Sequence, residues 1–231
     1  MPFYYYYYDV GMIFVVIAAI FAMIASAGVN STFKKYSRVA SRAGLTGAES
    51  ARRVLQANGV MGVKIERVSG NLTDHFDPKT NTIRLSESVY DANTVAAVGV
   101  AAHEAGHAVQ YAVGYAPIKL RMAIIPITQI GSNLAMPLVL IGLLLSAPSL
   151  AMLGVAAFSL STLFQLITLP VEFNASSRAV ETLETTGATD EEVKGAKKVL
   201  RAAAMTYVAA LAVSLANLLR LFLLVNRRNR R

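Results

Sequence analysis

Long apolar stretches alternate with polar segments along this chain of 231 residues. Four of the stretches are long enough to cross a bilayer, whose hydrocarbon core takes about twenty helical residues. They cover about Val10–Val29, Ala123–Leu145, Leu150–Leu169 and Met205–Val225. Only the link Ser146-Ala147-Pro148-Ser149 separates the second stretch from the third. The pattern therefore predicts a mainly α-helical membrane protein with about four transmembrane helices, two of which form a hairpin.

Single residues refine these four predicted helices. Pro126 and Pro137 lie inside the second stretch and predict kinks, because proline cannot donate the helical hydrogen bond. Arg220 lies near the end of the fourth stretch, where its long side chain can reach the interface. An aromatic cluster, Phe3 with Tyr4 to Tyr8, precedes the first stretch and is typical of the headgroup level. No basic residue precedes that stretch, so we interpret it as an uncleaved anchor and not as a signal peptide.

The pentapeptide His103-Glu104-Ala105-Gly106-His107 is the strongest chemical signal in the polar segments. It lies in an apolar run from Val95 to Val113, which predicts a buried helix of about five turns. Residues four apart share one face of a helix, so both imidazoles can bind one cation. Glu104 is offset by about 100° and is predicted to lie beside the metal as a general base. This is the H-E-x-x-H spacing of zinc metallopeptidases.

A catalytic zinc site needs a third protein ligand and an open position for water. The remaining histidine, His75, is one candidate; it precedes the metal helix across a predicted strand, Asn81–Ser86. Asp77 is already explained by the turn that it begins with Pro78. The later carboxylates lie in a polar stretch that predicts solvent exposure: Glu181, Glu184, Glu191 and Glu192.

Glu172 is a different kind of candidate, because it lies directly where the third apolar stretch ends. A helix that begins near Pro170 would place Glu172 in its first turn and Ser176 one turn later on the same face. The hairpin returns the chain to its own side of the membrane, which puts Glu172 in the same compartment as His103. The alternative role of Glu172 is a favourable charge at a helix N-terminus.

These motifs resemble those of the bacterial YugP-type neutral zinc metallopeptidases. The resemblance rests on His103-Glu104-x-x-His107, on Glu172-Phe173-Asn174-Ala175-Ser176 after the hairpin, and on Asp74-His75-Phe76-Asp77-Pro78. It covers most of the chain from about Lys34 onward. More distantly, the chain is similar to the HtpX-type membrane proteases and the CAAX prenyl proteases. The resemblance implies a small α+β zincin-like catalytic domain of the gluzincin type, with a short sheet before the metal helix, one Zn²⁺ per chain, and Glu172 as the third ligand.

The resemblance also implies roles for residues around the metal. In the gluzincin group an aspartate four residues after the glutamate commonly orients the histidines, but this chain has Ser176, which carries no charge. Asn174 is a second candidate for this orienting role. Candidates for stabilising the oxyanion are His75, Arg178 and Tyr111. The strand Asn81–Ser86 is predicted to be an edge strand to which an extended substrate adds.

These residues predict an enzymatic activity and a division of the chain into five segments. We expect a zinc-dependent membrane endopeptidase in which Glu104 takes a proton from a metal-activated water. The predicted segments are a membrane anchor (residues 1–30), a first catalytic segment (31–122), the hairpin (123–169), a second catalytic segment (170–204), and a last transmembrane helix with a basic tail (205–231). The alternative is a non-catalytic membrane protein with a structural metal site. Such a site has four ligands and no use for a free carboxylate such as Glu104.

The amino-acid composition limits the classes of molecule with which the chain is expected to interact. The chain is 55% hydrophobic and only 16% charged, which favours an integral membrane protein. It has no cysteine, which excludes disulfides, thiolate ligands and a cysteine nucleophile. The net charge of +8 suggests a nucleic acid or a membrane surface. The basic residues flank apolar stretches, so we expect a lipid bilayer and a peptide or protein substrate, membrane-associated ones included, and no nucleic acid. Neither an oligomeric state nor a particular substrate is predicted.

The basic residues also predict an orientation in the bacterial cell membrane. The first apolar stretch is followed by Lys34, Lys35, Arg38 and Arg42. The positive-inside rule therefore places both polar segments, and the metal site with them, in the cytoplasm. The tail from Arg227 to Arg231 conflicts with this orientation, because four crossings would place it outside.

Overall fold

The structure is a computed structural model that describes the backbone of residues 9–229 and the side chains as far as Arg227. The aromatic cluster of Phe3 to Tyr8 and the end of the basic tail, Arg230 and Arg231, lie outside the described residues. Within them the elements follow in this order: α1 (Val10–Tyr36), α2 (Gly47–Ala57), β1 (Lys64–Val68), β2 (His75–Asp77), β3 (Thr82–Ser86), α3 (Glu87–Tyr90), α4 (Val95–Ala112), α5 (Ala116–Leu144), α6 (Pro148–Thr185) and α7 (Asp190–Asn229).

Four helices confirm the mainly helical membrane architecture expected from the sequence. By length and composition α1, α5, α6 and α7 can each cross a membrane. The two later helices are longer than their apolar stretches, since each also includes polar sequence. The prediction of a helix that begins near Pro170 is wrong, because Pro170 lies inside α6. Val171 and Ala175 just beyond it are fully buried, so tertiary packing sustains the helix through the proline.

The sheet has three strands in the order β1-β3-β2. β3 pairs in parallel with β1, where Ile65 faces Ile83, and antiparallel with β2, where Phe76 faces Ile83. The predicted strand Asn81–Ser86 is therefore present as β3, but it is the central strand, and the prediction of an edge is wrong. Its neighbours already bond it on both sides, so no substrate strand can add there. Residues on both faces of β3 are buried, as fits a central strand, but its sequence alternates polar and apolar residues and gave no sign of this position.

The described chain divides into two compact units. The first comprises residues 9–24, 123–167 and 207–229. In it, small residues bring the arms of the hairpin together: a Cβ on Gly154 would lie 2.7 Å from the carbonyl oxygen of Ala135. Thr162 Oγ1 and Ser214 Oγ lie 2.8 Å apart within this unit. Arg220 Nε donates to Asp9 Oδ2 at 2.7 Å, so the arginine expected near the end of the fourth apolar stretch has an acidic partner.

The second unit comprises residues 25–122 and 168–206 and contains the sheet, α2, α3 and α4. Its core includes Ile83, Leu85 and eight apolar residues of α4. Glu192 corrects one expectation, because it is buried and not solvated. Its Oε1 accepts hydrogen bonds from Ser41 Oγ at 2.7 Å and from the backbone N–H of Arg42 at 2.8 Å. The carboxylate thus joins the start of α7 to the chain that follows α1.

Helix α4 packs very closely against α6. A Cβ on Gly106 would lie only 2.6 Å from the carbonyl oxygen of Ala175, a distance that real Cβ atoms do not adopt. The facing residues Ala102, Ala105 and Ala175 are fully buried. A glycine inside the His103–His107 motif is therefore what allows the backbones of these two helices to approach.

We predict that Gly106→Ala destabilises the protein. The added methyl group meets backbone, which cannot move aside as a side chain can, and overpacking of this kind costs about 1–3 kcal/mol. Gly28→Ala is the matched control, because a Cβ there meets nothing within 4 Å. Alanine favours the helix by up to about 1 kcal/mol over glycine, so the control should unfold at the same temperature as the wild type or higher. Thermal unfolding in detergent compares the three proteins, and an unchanged midpoint for Gly106→Ala would contradict the close packing.

Candidate metal centre

The two histidines of the motif lie one turn apart on α4 and face the same point. The centroids of the His103 and His107 rings are 4.7 Å apart, and the ring planes meet at 78°. Their side chains are 13% and 10% exposed, so solvent reaches the site only at its edge. The helix begins at Thr94, whose side chain accepts a hydrogen bond from the N–H of Ala97, and its buried small residues hold it in the core. Local sequence therefore places both histidines on one face of a buried helix.

Glu172 of α6 lies between the two rings. Its Oε2 is 3.2 Å from His103 Nε2 and 3.5 Å from His107 Nε2, and its side chain is 3% exposed. One ligand atom from each of the three residues lies within 4.8 Å of the other two. Ligands of a tetrahedral zinc ion, at bond lengths of about 2.0–2.1 Å, are separated by about 3.3 Å. The observed distances fit an ion held by all three side chains.

The hydrogen bonds of Gln110 determine which ring nitrogen of His107 carries the hydrogen. The other nitrogen, which has the lone pair, faces Glu172. The Gln110 amide nitrogen donates to the carbonyl oxygen of Val171 at 2.8 Å, which fixes the orientation of the amide. Its oxygen then lies 3.0 Å from His107 Nδ1, and since that oxygen can only accept, Nδ1 must carry a hydrogen. In the neutral ring Nε2 therefore has a lone pair directed at a carboxylate. Such an arrangement is favourable only with a cation between the two groups, or with a proton on the ring.

The charges around His107 favour a cation in this position. Burial alone disfavours a charged ring, but the hydrogen bond with Glu172 and the negative charges of Glu104 and Glu172 outweigh it and raise the pKa of His107. A metal ion uses the same lone pair as that proton. Glu104 itself is 8% exposed. Among the described side chains none donates a hydrogen bond to it, so its carboxylate oxygens are free to accept a proton.

Ser176 lies four residues after Glu172, where the resemblance implies a residue that orients the histidines, and it contacts His103. Its Oγ lies 3.1 Å from His103 Nδ1, on the ring nitrogen that does not face Glu172. Asn174 reaches His107 only through Gln110, because its Oδ1 accepts from the Gln110 amide at 3.0 Å. Arg178 in turn donates to the same Asn174 oxygen at 2.9 Å. The two candidates for orienting the histidines, Ser176 and Asn174, and the oxyanion candidate Arg178 are therefore linked to the site, but only Ser176 touches a histidine.

Two residues of the site were not predicted from the sequence, Gln110 and Arg121. Arg121 of α5 donates from one terminal nitrogen to Glu172 Oε1 at 3.1 Å. Glu172 thus directs one oxygen to the histidines and the other to an arginine. The available signal was a lone arginine at the start of an apolar stretch, where a buried charge needs a partner. For Gln110 the signal was its position three residues after His107, on the same helical face.

The contacts described for His75, Asp77 and Tyr111 are with residues other than His103, His107 and Glu172. His75 is exposed in β2, with Nδ1 2.8 Å from the carbonyl oxygen of Thr73. Within the described residues, the group that could hold a metal contains neither His75 nor Asp77. Asp77 accepts from Arg84 and from Thr80, which holds the pKa of its carboxyl well below its usual range and agrees with a turn role. Tyr111 packs against Phe76, with ring centroids 6.0 Å apart.

Comparison with known proteins agrees with this arrangement. A family model described as "Putative neutral zinc metallopeptidase" matches residues 11–226. The chain is 49% identical over 210 residues to the "Putative membrane protease YugP" of Bacillus subtilis (strain 168), a match that covers 90% of this chain and 93% of that protein. No solved structure matches the chain. A largely buried cluster of His103, His107 and Glu172 on two packed helices agrees with this match over almost the whole length, and the chain belongs to the family described as "Putative neutral zinc metallopeptidase".

Proposed function

We propose that this protein is a zinc-dependent membrane endopeptidase. His103, His107 and Glu172 hold one Zn²⁺, and Glu104 is the general base. The observation that carries the proposal is the position of Glu172 Oε2, 3.2 Å and 3.5 Å from the two Nε2 atoms. The family description and the name of the relative at 49% identity support it. The fold that we propose for the second unit is zincin-like, with the three-stranded sheet before the metal helix.

The donor set suits a catalytic zinc ion. Two imidazoles and one carboxylate leave a fourth position open, as in catalytic sites with three protein ligands. When bound there, zinc activates a water molecule and polarises the carbonyl of the peptide bond. Glu104 accepts the proton of that water and delivers it to the leaving amine. Its carboxylate is suited to this because it is buried beside the ligands and no described side chain donates to it.

Neighbouring residues hold the ligands in place. Gln110 accepts the Nδ1 hydrogen of His107, so that ring presents Nε2 to the metal. With Nε2 of His103 on the metal, its Nδ1 carries the hydrogen and donates it to Ser176 Oγ. Asn174 Oδ1 accepts a hydrogen bond from the Gln110 amide, and Arg178 donates to the same oxygen, so these two residues hold Gln110 in place. Arg121 holds Glu172 so that its other oxygen faces the metal. Since Arg178 is bonded to Asn174, His75 and Tyr111 stay as the candidates for stabilising the oxyanion.

We further propose that the site faces the cytoplasm at the bacterial cell membrane, where it hydrolyses peptides or proteins, membrane-associated ones included. The basic residues Lys34, Lys35 and Arg38 directly follow the apolar part of α1, which supports this orientation. The four candidate spans and the name of the relative support an integral membrane protein.

We predict that Glu104→Gln abolishes proteolysis and leaves zinc binding intact. Glutamine keeps the shape of the side chain but cannot take a proton, so hydrolysis of a casein-type substrate should fall by about 10²–10⁴-fold. Zinc content, measured by elemental analysis, should stay near one per chain. Glu87→Gln, an exposed residue at the start of α3, is the matched control and should retain full activity. Undiminished activity of Glu104→Gln would refute the mechanism, and a wild type that binds zinc but cleaves nothing would favour the structural metal site.

We predict that Ser176 tunes the affinity for zinc. Ser176→Ala removes the acceptor of the His103 Nδ1 hydrogen, and the loss of such a partner typically weakens metal binding by about 10–100-fold. Ser176→Asp supplies a charged acceptor and should bind zinc more tightly than the wild type. Ser177→Ala is the control, because its side chain is exposed on the next position of α6. Competition with a zinc chelator measures all four affinities. Equal affinities for Ser176→Ala and Ser177→Ala would show that Ser176 has no orienting role.

We predict that the labelling of single introduced cysteines will report the proposed membrane orientation. The natural chain has no cysteine, so each introduced one is the only thiol. Met61→Cys, at an 84% exposed position of the first polar segment, should resist a membrane-impermeant thiol reagent in intact cells. Leu145→Cys, 70% exposed at the turn of the hairpin, lies one crossing away in the proposed topology and should react. Both should react after permeabilisation. The reverse pattern in intact cells would invert the orientation.

A further inference from the structure

A small cavity in the second unit lies between α1 and α7. Its volume is about 350 Å³. From α1 it is lined by Thr32, Lys35 and Tyr36, and from α7 mainly by Lys198, Arg201 and Met205. Thr32 comes three and four positions before Lys35 and Tyr36, and Arg201 lies three positions after Lys198 and four before Met205, so each helix presents one face to the cavity. We call it the basic cavity.

The basic cavity concentrates positive charge that has no acidic partner. Lys35, Lys198 and Arg201 are exposed, and no carboxylate belongs to the lining. Within the part of the chain whose side chains are described, none of the three forms an ion pair. The Lys35 ammonium lies 5.6 Å from the centre of the Tyr36 ring, which keeps it over the cavity wall. Three unpaired cations around one small space repel each other unless an anion joins them.

A neighbouring groove shows that this charge pattern is specific. The groove, of about 670 Å³, runs between α6 and α7 and also includes Arg201. There Lys197 shares the lining with Glu181 and Glu184, so positive and negative charges are mixed. Adjacent lysines of α7 therefore face different surroundings: Lys197 has carboxylates across its groove, whereas Lys198 has Thr32, Lys35 and Tyr36, and no carboxylate, across the basic cavity.

The position of the basic cavity along the two helices indicates which anion it takes. On α1, Lys35 comes shortly after the apolar stretch Val10–Val29. On α7, Arg201 comes shortly before the apolar stretch Met205–Val225. Both helices are candidate membrane spans, so both cations lie where charged sequence meets apolar sequence. In membrane proteins this is the level of the lipid headgroups, and basic pockets between helices at this level bind anionic headgroups.

We propose that the basic cavity binds the phosphate of an anionic membrane phospholipid. Lys35, Lys198 and Arg201 supply the charge, and the hydroxyl groups of Thr32 and Tyr36 can bond the headgroup. The shared chemistry is phosphate recognition, but we assign it to a lipid, because on both helices the sequence becomes that of a candidate membrane span within two turns of Lys35 and Arg201. The site is separate from the metal centre, and its occupancy does not depend on proteolysis.

Native mass spectrometry of the full chain in a neutral detergent tests the proposal. Phosphatidylglycerol should bind the wild type as one tightly held lipid, and phosphatidylcholine should bind at least about tenfold more weakly. The triple variant Lys35→Gln/Lys198→Gln/Arg201→Gln should bind phosphatidylglycerol on the order of a hundredfold more weakly. The matched control Lys34→Gln/Lys64→Gln/Lys194→Gln loses the same charge from exposed positions outside the cavity and should bind almost as the wild type does.

Each contrary result would overturn the site. An equal loss in both triple variants would mean that only total charge matters, and equal binding of both lipids would remove the anionic preference. Displacement of phosphatidylglycerol by inorganic phosphate that binds as tightly would make it a site for free phosphate. A photoreactive phosphatidylglycerol tests the unmodified protein, in case a variant fails to fold. Cross-links should map to residues 32–36 and 198–205, and cross-links found only elsewhere would contradict the proposal.

Discussion

The position of one carboxylate, that of Glu172, depends on how closely two helices approach, and the rest of the site depends on that carboxylate. Its Oε2 meets the histidines of α4 while Oε1 meets Arg121 of α5. A buried carboxylate is unfavourable without partners, so this arrangement is stable only when the helices hold all of them around it. Gly106 allows the approach, because any side chain at that position would collide with the backbone at Ala175. The motif therefore specifies packing as well as chemistry.

The sequence predicted the parts of this protein that arise from local pattern. Apolar stretches of sufficient length predicted the four long helices, and four-residue spacing predicted that His103 and His107 share a face. The position of Glu172 after a hairpin, together with the resemblance to a known family, indicated a third residue for the cluster. Its role as a ligand stays a proposal, but the structure does bring the three side chains together. Periodicity and spacing depend only on residues that are close together in the chain, so they can be read from the sequence without knowledge of the fold.

The errors arise where tertiary packing overrides a local signal. Pro170 was expected to begin a helix, yet the fully buried residues after it hold α6 together. β3 was expected to be an edge strand, but β1 and β2 pair with it on its two sides. The sequences of β1 and β2 have weaker strand patterns than that of β3. Glu192 looked like one of several solvated carboxylates until Ser41, far away in the sequence, was found to donate to it. Arg121 and Gln110 likewise have partners that only the folded chain reveals.

The continuity of α6 has a consequence for how the chain tolerates changes in length. One unbroken helix, Pro148–Thr185, includes both an arm of the hairpin and Glu172. Each residue added to or removed from a helix turns everything beyond it by about 100° and shifts it by about 1.5 Å. A single insertion between Glu172 and Ala175, the residue that packs on Gly106 of α4, would therefore rotate the carboxylate away from both imidazoles, although no residue of the site had changed. The loop between α6 and α7 has no such phase to keep, so the same insertion there leaves the three side chains in place.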